Sequence, residues 1–267
     1  AQNFTTATDS HNTAVGHNAG NDVTTGVQNT LIGSLAGDAL TTGQNNVAMG
    51  YLALSDDTKG ENSVAIGVLA LNAQNFTTAT NSYNVAVGRS AGAAITTGVQ
   101  NTFVGAEAGD GTDDGNSCVA VGFRSLSANA GSNNVAVGAF TLQSATGIDN
   151  TALGDSAGSA ITSGSNNLML GHDAGLTGSP GGNHATADSR IVLGDENIAQ
   201  ANIQVSFSVA SDQRDKTDFT PLDVGLDFVK QLNPVTYKWD KRSKYGDKYA
   251  EDYDLNAQTP DGTHKED

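Results

Sequence analysis

The chain has 267 residues with 32 glycines and 4 prolines, and only 6% of its residues are aromatic. This composition excludes a single ordinary globular core, and the formal net charge of −16 argues against nucleic acid as a partner. No apolar run approaches the ~18 residues of a membrane-spanning helix, which argues against membrane insertion. The one cysteine, Cys118, rules out an intrachain disulfide and is interpreted as a small buried apolar residue.

A short phrase, seen first as NTAVG at residues 12–16, recurs along most of the chain. Each copy closes on a glycine, called here a repeat glycine. The repeat glycines are Gly16, Gly33, Gly50, Gly67, Gly88, Gly105, Gly122, Gly138, Gly154, Gly171 and Gly194. Six of the ten steps between them are 17 residues long. Such a regular period is typical of repeat architectures.

Each phrase predicts one short strand followed by a glycine corner. The residues one and three positions before the repeat glycine are apolar or β-branched, and alternation places them on one face of the strand. We expect stacking of successive copies to bury that face. The residue between them is usually alanine, as in Ala48 and Ala65, and is expected to point toward a second surface that approaches closely. An asparagine before the strand suits a turn, and the glycine permits a bend.

These features predict an all-β repeat fold, a parallel β-roll or solenoid of about ten 17-residue rungs over residues 1–194. No rung can bury its own apolar face. A lone roll would also present its alanine-lined face as a long apolar stripe, and such stripes mark interfaces. The simplest closure is rotational association of identical chains.

Two departures from the regular period predict loops. The opening residues 1–8 return unchanged as residues 73–80, so a block of four rungs is duplicated. The second copy lies in the 21-residue step before Gly88, which predicts an enlarged loop. The 23-residue step before Gly194 predicts a loop that projects from the roll, followed by a final atypical rung.

The composition changes near residue 211 and marks a domain boundary. Residues 1–211 contain four basic residues, and the last 56 contain nine. Alternation of apolar and polar residues predicts a connecting strand in residues 195–211. Residues 212–267 are predicted to form a small α+β segment. A helix is expected at 220–232, because Thr220 suits the N-cap and Asn233-Pro234 stops it, and a strand is expected at 235–239.

The rung phrase resembles the head repeats of trimeric autotransporter adhesins, most closely as NSVAIG at residues 62–67 and NVAVG at residues 134–138. The resemblance covers residues 12–175. It implies a left-handed parallel β-roll in each chain and a homotrimer around one axis. The rungs here are longer than is usual in those heads, so ligand specificity is not carried over.

A second resemblance lies in the C-terminal segment. SDQRDK at residues 211–216, the predicted helix and LNPVTYKW at residues 232–239 together resemble the opening of the intramolecular chaperone domain of phage tail fibres and tailspikes, the S74 peptidase family. In that family the domain trimerises the fibre and then cuts itself off. The resemblance implies cleavage at Ser211-Asp212, with Ser211 as nucleophile and Lys216 as base.

Two functions remain open for residues 1–194: a shaft that binds a host receptor or glycan, and a passive spacer. A ligand would be bound by solvent-facing loops, and the candidates are Thr5–Ser10, Thr77–Tyr83 and Asp110–Gly115. The alternative identity is the head of a bacterial or other extracellular trimeric adhesin. Glycan hydrolysis is disfavoured because no paired carboxylates recur on the rungs. An incomplete threonine ladder disfavours ice binding.

The sequence predicts no cofactor and no metal site. The five histidines show no ligand spacing; they are His11, His17, His172, His184 and His264. The adjacent pairs Asp56-Asp57 and Asp113-Asp114 are interpreted as loop acids. The expected protein is therefore a homotrimeric segment of a virion tail fibre, extracellular in location, with a C-terminal assembly domain.

Overall fold

The computed structural model describes residues 9–202, together with the backbone of residues 239–240 and 265–266. The chain divides into two compact units, residues 1–202 and residues 203–267. The described residues form fifteen strands and no helix. The strands are β1 (Thr13–Val15), β2 (Thr30–Ile32), β3 (Val47–Met49), β4 (Gly60–Glu61), β5 (Val64–Ile66), β6 (Thr80–Asn81), β7 (Val85–Val87), β8 (Thr102–Val104), β9 (Val119–Val121), β10 (Val135–Val137), β11 (Thr151–Leu153), β12 (Leu168–Leu170), β13 (Ile191–Leu193), β14 (Trp239–Asp240) and β15 (Lys265–Glu266).

Eleven strands form one parallel sheet whose spatial order follows the chain, β1-β2-β3-β5-β7-β8-β9-β10-β11-β12-β13. Equivalent positions of successive phrases pair with each other, so Ala48 lies beside Ala65 and Ala65 beside Ala86. The predicted all-β parallel solenoid is thereby confirmed. We use the term enlarged rung for residues 51–88, which comprise the 17-residue step before Gly67 and the 21-residue step before Gly88. It keeps this register and adds a small parallel pair, β4 with β6.

The orientation of the strands is the reverse of the prediction. In the eleven-stranded sheet, the middle residue of each strand after β1 points into the roll, and Ala48, Ala65 and Ala120 are fully buried. The two flanking residues lie on the outside. The physical reason lies in the segment that follows each repeat glycine and leads back to the next strand, called here the returning half of the rung. It fills the interior with large side chains such as Leu54 and Ile95. Only a small side chain then fits from the strand, and the branched residues face outward.

Large middle residues are matched by glycines across the narrow core. Phe103 is fully buried on β8, where most strands carry alanine. A Cβ at Gly92 or Gly109 would lie 2.8 or 2.6 Å from its ring. Met169 on β12 has the same relation to Gly175, at 2.8 Å from its sulfur. Volume is thus conserved within the layer, as close packing requires.

One asparagine per regular rung satisfies the buried backbone before each strand. Asn46 donates its backbone N–H to Asn29 Oδ1 at 2.9 Å and its side-chain Nδ2–H to the Gly60 carbonyl at 2.8 Å. This pair of bonds recurs along the roll, with Asn12, Asn84 and Asn134 repeating the side-chain bond to a glycine carbonyl, and we call the series the asparagine ladder. Its members are Asn12, Asn29, Asn46, Asn84, Asn101, Asn134, Asn150 and Asn167. The predicted turn role of these asparagines therefore extends across rungs.

In the second unit the structure describes one antiparallel pair, β14 with β15, in which Trp239 lies beside Glu266. Trp239 is the last residue of the strand predicted at 235–239. The remainder of that strand, the connecting strand at the end of 195–211 and the helix predicted at 220–232 lie outside the described residues.

Candidate assembly surface and chaperone segment

Each repeat glycine directly follows a strand of the eleven-stranded sheet, and all eleven have positive φ, from 142° at Gly88 to 78° at Gly194. For most of them, a Cβ would overlap the backbone of the next repeat glycine in the stack. Side-chain-bearing residues rarely adopt this conformation. The corner thus requires glycine for two independent reasons, its conformation and the close approach of the neighbouring rung.

The outward-facing side chains of the sheet form a continuous surface that we call the outer face. It consists of the first and third residue of each strand. The first residues are Thr13, Thr30, Val47, Val64, Val85, Thr102, Val119, Val135, Thr151, Leu168 and Ile191, and the third residues are Val15, Ile32, Met49, Ile66, Val87, Val104, Val121, Val137, Leu153, Leu170 and Leu193. Ten strand steps of ~4.8 Å make this face ~48 Å long.

The outer face carries no charged side chain, and its only polar residues are four threonines. Several members are largely exposed, among them Val15 at 58%, Leu153 at 53% and Ile191 at 72% of the residue surface. Soluble monomers rarely expose a contiguous apolar patch of this length. The stripe predicted from the sequence therefore exists, but it is built from the branched residues rather than from the alanines.

Two rows of residues border the outer face. On the side where the strands begin, called the start side, the residue before each ladder position has a left-handed backbone; examples are Gln100 (φ 62°) and Asp149 (φ 59°). On the side where the strands end, called the end side, the residue after each repeat glycine is mostly exposed, and this row includes His17 and His172.

A charged and aromatic cluster occupies the end side at the middle of the roll. Glu107 pairs with Arg89 and with Arg124, the latter at 2.9 Å. Phe123 packs edge to face against Phe140 with 5.4 Å between ring centroids, and the Arg124 guanidinium lies 5.9 Å from the Phe123 ring. Both arginines are half exposed, so these ion pairs contribute little to stability.

The enlarged rung contains a buried polar cluster that the sequence reasoning missed, formed by Asp57, Ser63, Gln74, Ser82 and Asn84. Asp57 accepts the backbone N–H of Gly60 at 2.9 Å and of Phe76 at 3.1 Å, and the Gln74 amide at 2.6 Å. Burial raises the pKa of Asp57 above its usual 3.8, against the opposing effect of these bonds. The interpretation of Asp57 as a loop acid is wrong, because its carboxylate organises the interior of the enlarged rung.

Cys118 occupies a ladder position and is fully buried, as predicted. Its backbone N–H is bonded to Asn101 Oδ1 at 2.9 Å, and its sulfur lies 3.2 Å from the Gly131 carbonyl oxygen. Burial raises the pKa of the thiol. Cys118 therefore interrupts the asparagine ladder, although its side chain is buried in the roll like those of the ladder asparagines.

The loops proposed to face a ligand differ in exposure. Thr77, Thr78 and Ala79 are exposed, and Tyr83 is exposed at 54%, whereas Ser82 between them is buried. In 110–115, Asp114 is exposed, but Thr112 and Gly115 are buried. Of the first loop, only residues 9 and 10 are described.

The described part of the chain brings together no three His, Cys, Asp or Glu side chains in a group able to hold a metal ion. His17 and His172 occupy equivalent positions after their repeat glycines, at opposite ends of the roll. Within residues 9–202 and the two short strands of the second unit, no helix has the length and hydropathy needed to cross a membrane.

Ser211, Asp212 and Lys216 lie outside the described residues. Residues 211–258 match the family model Peptidase_S74, described as the chaperone of endosialidase. The comparison with curated proteins gave no match, and neither did the comparison with solved structures. The match at residues 211–258 and the parallel β-solenoid that precedes it together fit a tail fibre with a C-terminal chaperone domain.

Proposed function

We propose that the chain is a homotrimeric fibre shaft of the phage tail fibre type, assembled and then released by its C-terminal chaperone domain. The observation that carries the proposal is the chaperone-family match beginning at residue 211, after an eleven-stranded solenoid with an uncharged outer face. The shaft holds or presents a binding element, and the chaperone domain brings three chains together.

The outer face supports self-association because its side chains are left exposed or half-exposed by the described part of the chain. Each strand contributes two apolar or threonine side chains to it, in the same register along the whole sheet. A rotational arrangement of identical chains turns all copies of this face toward one axis and forms a closed assembly. The contact removes a row of apolar side chains from water, at about 25 cal/mol for each Å² buried.

The assembly is tested by placing a charge on the outer face. Thr102, the first residue of β8, lies on this face, and Thr97 is exposed on a loop of the same rung. Both residues are changed to aspartate, each in a full chain that also carries Ser211→Ala so that it stays uncut. We expect sedimentation equilibrium to give three times the 27.2 kDa chain mass for the parent and for Thr97→Asp.

Thr102→Asp should shift the mass toward that of the single chain, because each assembly then gathers three carboxylates in an apolar interior. A parent chain that sediments as a monomer would refute the trimer. If the Thr102→Asp chain remains as trimeric as the Thr97→Asp chain, the interface does not lie on the outer face.

The cleavage part of the proposal assigns Ser211 as nucleophile and Lys216 as base. The lysine amine takes the proton of the serine hydroxyl, whose oxygen attacks a backbone carbonyl carbon at the junction with Asp212. The peptide C–N bond breaks, the amine leaves with a proton, and water hydrolyses the resulting ester. A serine alone is a poor nucleophile, so both residues are needed.

Expression of the complete gene with Ser211→Ala or Lys216→Ala tests this assignment by fragment mass. Both variants are expected to remain whole while wild type is cut, and Lys238→Ala is the control that should cut normally. If wild type trimerises and stays whole, the chain has no protease activity at this junction.

Host attachment is a further part of the proposal and is supported by the exposed loop at residues 77–79 and the exposed ring of Tyr83. Exposed loops on a rigid scaffold are common binding elements. Replacement of residues 77–79 by glycine and serine is expected to reduce adsorption of the parent particle to its host while leaving assembly unchanged. Unchanged adsorption would favour the passive spacer.

A further inference from the structure

The apolar surface of the roll extends beyond the outer face and continues around one edge of the sheet. Of the twelve large hydrophobic residues that are exposed in the described part of the chain, six belong to the outer face. Three others lie in the end-side row, at Tyr51, Val68 and Phe123. The end side of the sheet is therefore a second apolar surface, continuous with the first.

This second surface is most developed at the rungs of β3 and β5. Tyr51 and Val68 follow the repeat glycines of these two rungs and have 49% and 43% of the residue surface exposed. The residue after each of them, Leu52 or Leu69, is half-buried. We call these four residues the apolar corner. It adjoins the outer face through Met49, the third residue of β3, which is itself exposed.

The two leucines of the apolar corner occupy a backbone conformation that does not favour them. Leu52 has a φ of 55° and Leu69 a φ of 60°, in the left-handed region. The equivalent positions of the first and tenth rungs carry Asn18 and Asp173, residue types that tolerate this region better. Local backbone preference therefore does not explain leucine at this position, whereas an apolar contact of the side chains does.

The start side of the same rung carries a polar group that complements Tyr51. Asn45 precedes the ladder residue of β3 and is exposed. Its side-chain amide forms no hydrogen bond with any other residue that the structure describes, and neither does the Tyr51 hydroxyl. Each group can both donate and accept a hydrogen bond. They do not meet within one chain, because the four extended steps between residues 46 and 50 span about 13 Å.

We propose that the apolar corner of each copy packs against the start side of the next copy, with the Tyr51 hydroxyl bonded to the Asn45 amide of that copy. The inference rests on the proposed trimer and adds a contact besides the outer face. In a closed ring whose outer faces turn toward the axis, the start side of each copy meets the end side of the next. Equal rungs face each other, so the end of β3 meets the start of β3 in the adjacent copy. Tyrosine suits this place, since its ring is covered while its hydroxyl keeps a partner.

The rung of β11 has the opposite character at the same edge. Asp155 follows its repeat glycine, Asp149 precedes its ladder residue, and both are exposed. Equal rungs that face each other bring Asp155 of one copy to the level of Asp149 of the next, where the two carboxylates repel weakly. The proposed edge contact is thus favourable at β3 and unfavourable at β11, and each rung provides its own test.

Disulfide trapping in the full chain with Ser211→Ala tests the contact at β3 directly. Asn45→Cys and Tyr51→Cys are combined in one chain. A disulfide joins Cα atoms no more than about 7 Å apart, so a bond between these positions requires two copies. The control pair is Asn45→Cys with His172→Cys. His172 holds the position of Tyr51 in the rung of β12, seven strand steps or ~34 Å along the roll.

We expect oxidation to convert the Asn45→Cys, Tyr51→Cys chain to a covalent trimer in denaturing gels, and the control pair to remain uncrosslinked. A sedimenting trimer that does not crosslink at the first pair, or that crosslinks equally at the control pair, overturns the corner contact and leaves the outer-face trimer intact. Covalent species of more than three chains overturn the closed ring. A parent chain that sediments as a monomer overturns both proposals.

A charge reversal at β11 tests the same edge contact without altering the apolar corner. Asp149→Lys places a cation against Asp155 of the next copy and replaces a repulsion by an attraction. It should tighten the trimer about two- to five-fold for each contact, measured by sedimentation of a dilution series. Asp155→Asn in the same chain should remove the gain, and Asp114→Lys, the same charge change on an exposed loop, should give none. A trimer weakened by Asp149→Lys, or tightened equally by Asp114→Lys, would refute the edge contact.

Discussion

The regular rungs and the enlarged rung satisfy the same buried backbone in different ways. In most regular rungs one ladder asparagine bonds the neighbouring rungs, and the seventh residue after the repeat glycine is apolar, as in Leu40 and Ile95. In the enlarged rung the first ladder position is Ser63, and the two successive seventh positions are Asp57 and Gln74, all fully buried. The amide and the apolar contact are replaced together by one polar cluster.

This difference shows how a solenoid accepts an insertion without losing its sheet. Strands β5 and β7 still pair in register, with Val64 beside Val85, although the step between their glycines is longer. The backbone N–H groups of Gly60 and Phe76 both point into this region, and Asp57 accepts both. The buried carboxylate is retained because it accepts hydrogen bonds from several buried donors at once.

The largest predicted effect comes from Asp57→Leu, which gives the enlarged rung the residue type of a regular one. The change leaves two backbone donors and the Gln74 amide without their acceptor inside the roll. A buried donor left without a partner costs about 1–3 kcal/mol, and this variant leaves three of them. Thermal unfolding followed by circular dichroism should show a large fall in melting temperature, while Asp56→Leu, at an exposed neighbour, should change little.

The double variant Asp57→Leu, Gln74→Leu sharpens the comparison further. It removes the Gln74 amide, which Asp57→Leu alone leaves without an acceptor. It also places two apolar residues at successive seventh positions, as most regular rungs do. Because removing both partners costs less than removing one, it should recover part of the loss. A double variant less stable than Asp57→Leu would show that the cluster does not act as a unit.

A smaller effect is expected when one regular ladder member is removed. Asn101 accepts the Cys118 backbone N–H at 2.9 Å and donates to the Gly115 carbonyl at 2.8 Å. Asn101→Ala leaves both groups without this partner in a buried site, at a cost of about 2 kcal/mol. The matched measurement is the melting temperature of exposed Thr97→Ala. Equal stability of the two variants would mean that the ladder bonds contribute nothing net.

The sequence predicts the repeat but not the inside of each rung. The period and the repeat glycines were enough for a parallel solenoid, since backbone pairing depends only on regular spacing. The prediction of which strand face points into the roll was wrong, because the alternation of residues such as Val47 and Ala48 is compatible with either orientation. That choice depends on Leu54 and Ile95 from the returning half, whose place in the core no local pattern reveals. The cluster around Asp57 was missed because its members are far apart in sequence.

Restoring the missing ladder amide at Cys118 should have a modest effect of the opposite sign. An asparagine at this position, flanked by Asn101 and Asn134 in neighbouring rungs, gains an amide that reaches the Gly131 carbonyl. We expect Cys118→Asn to stabilise the roll by about 1 kcal/mol, the usual net value of one hydrogen bond. Cys118→Ser, which adds a hydroxyl but no amide, is the control. Destabilisation by Cys118→Asn relative to Cys118→Ser would contradict this account of the ladder.

The smallest effect is a pH dependence confined to the enlarged rung. Burial raises the pKa of Asp57 in the folded state above 3.8, so its ionised form is disfavoured by folding. Stability from this residue therefore increases as the pH falls from neutral through its folded pKa, and the gain is complete below 3.8. Partial burial also raises the pKa values of Asp38 and Asp110, which act in the same direction, as does the loss of net negative charge. Asp57→Asn removes only the Asp57 contribution, so the difference in melting temperature between pH 4 and pH 7 should be smaller in the variant than in wild type. An identical difference in the two proteins would mean that Asp57 ionises as readily inside the roll as in the unfolded chain.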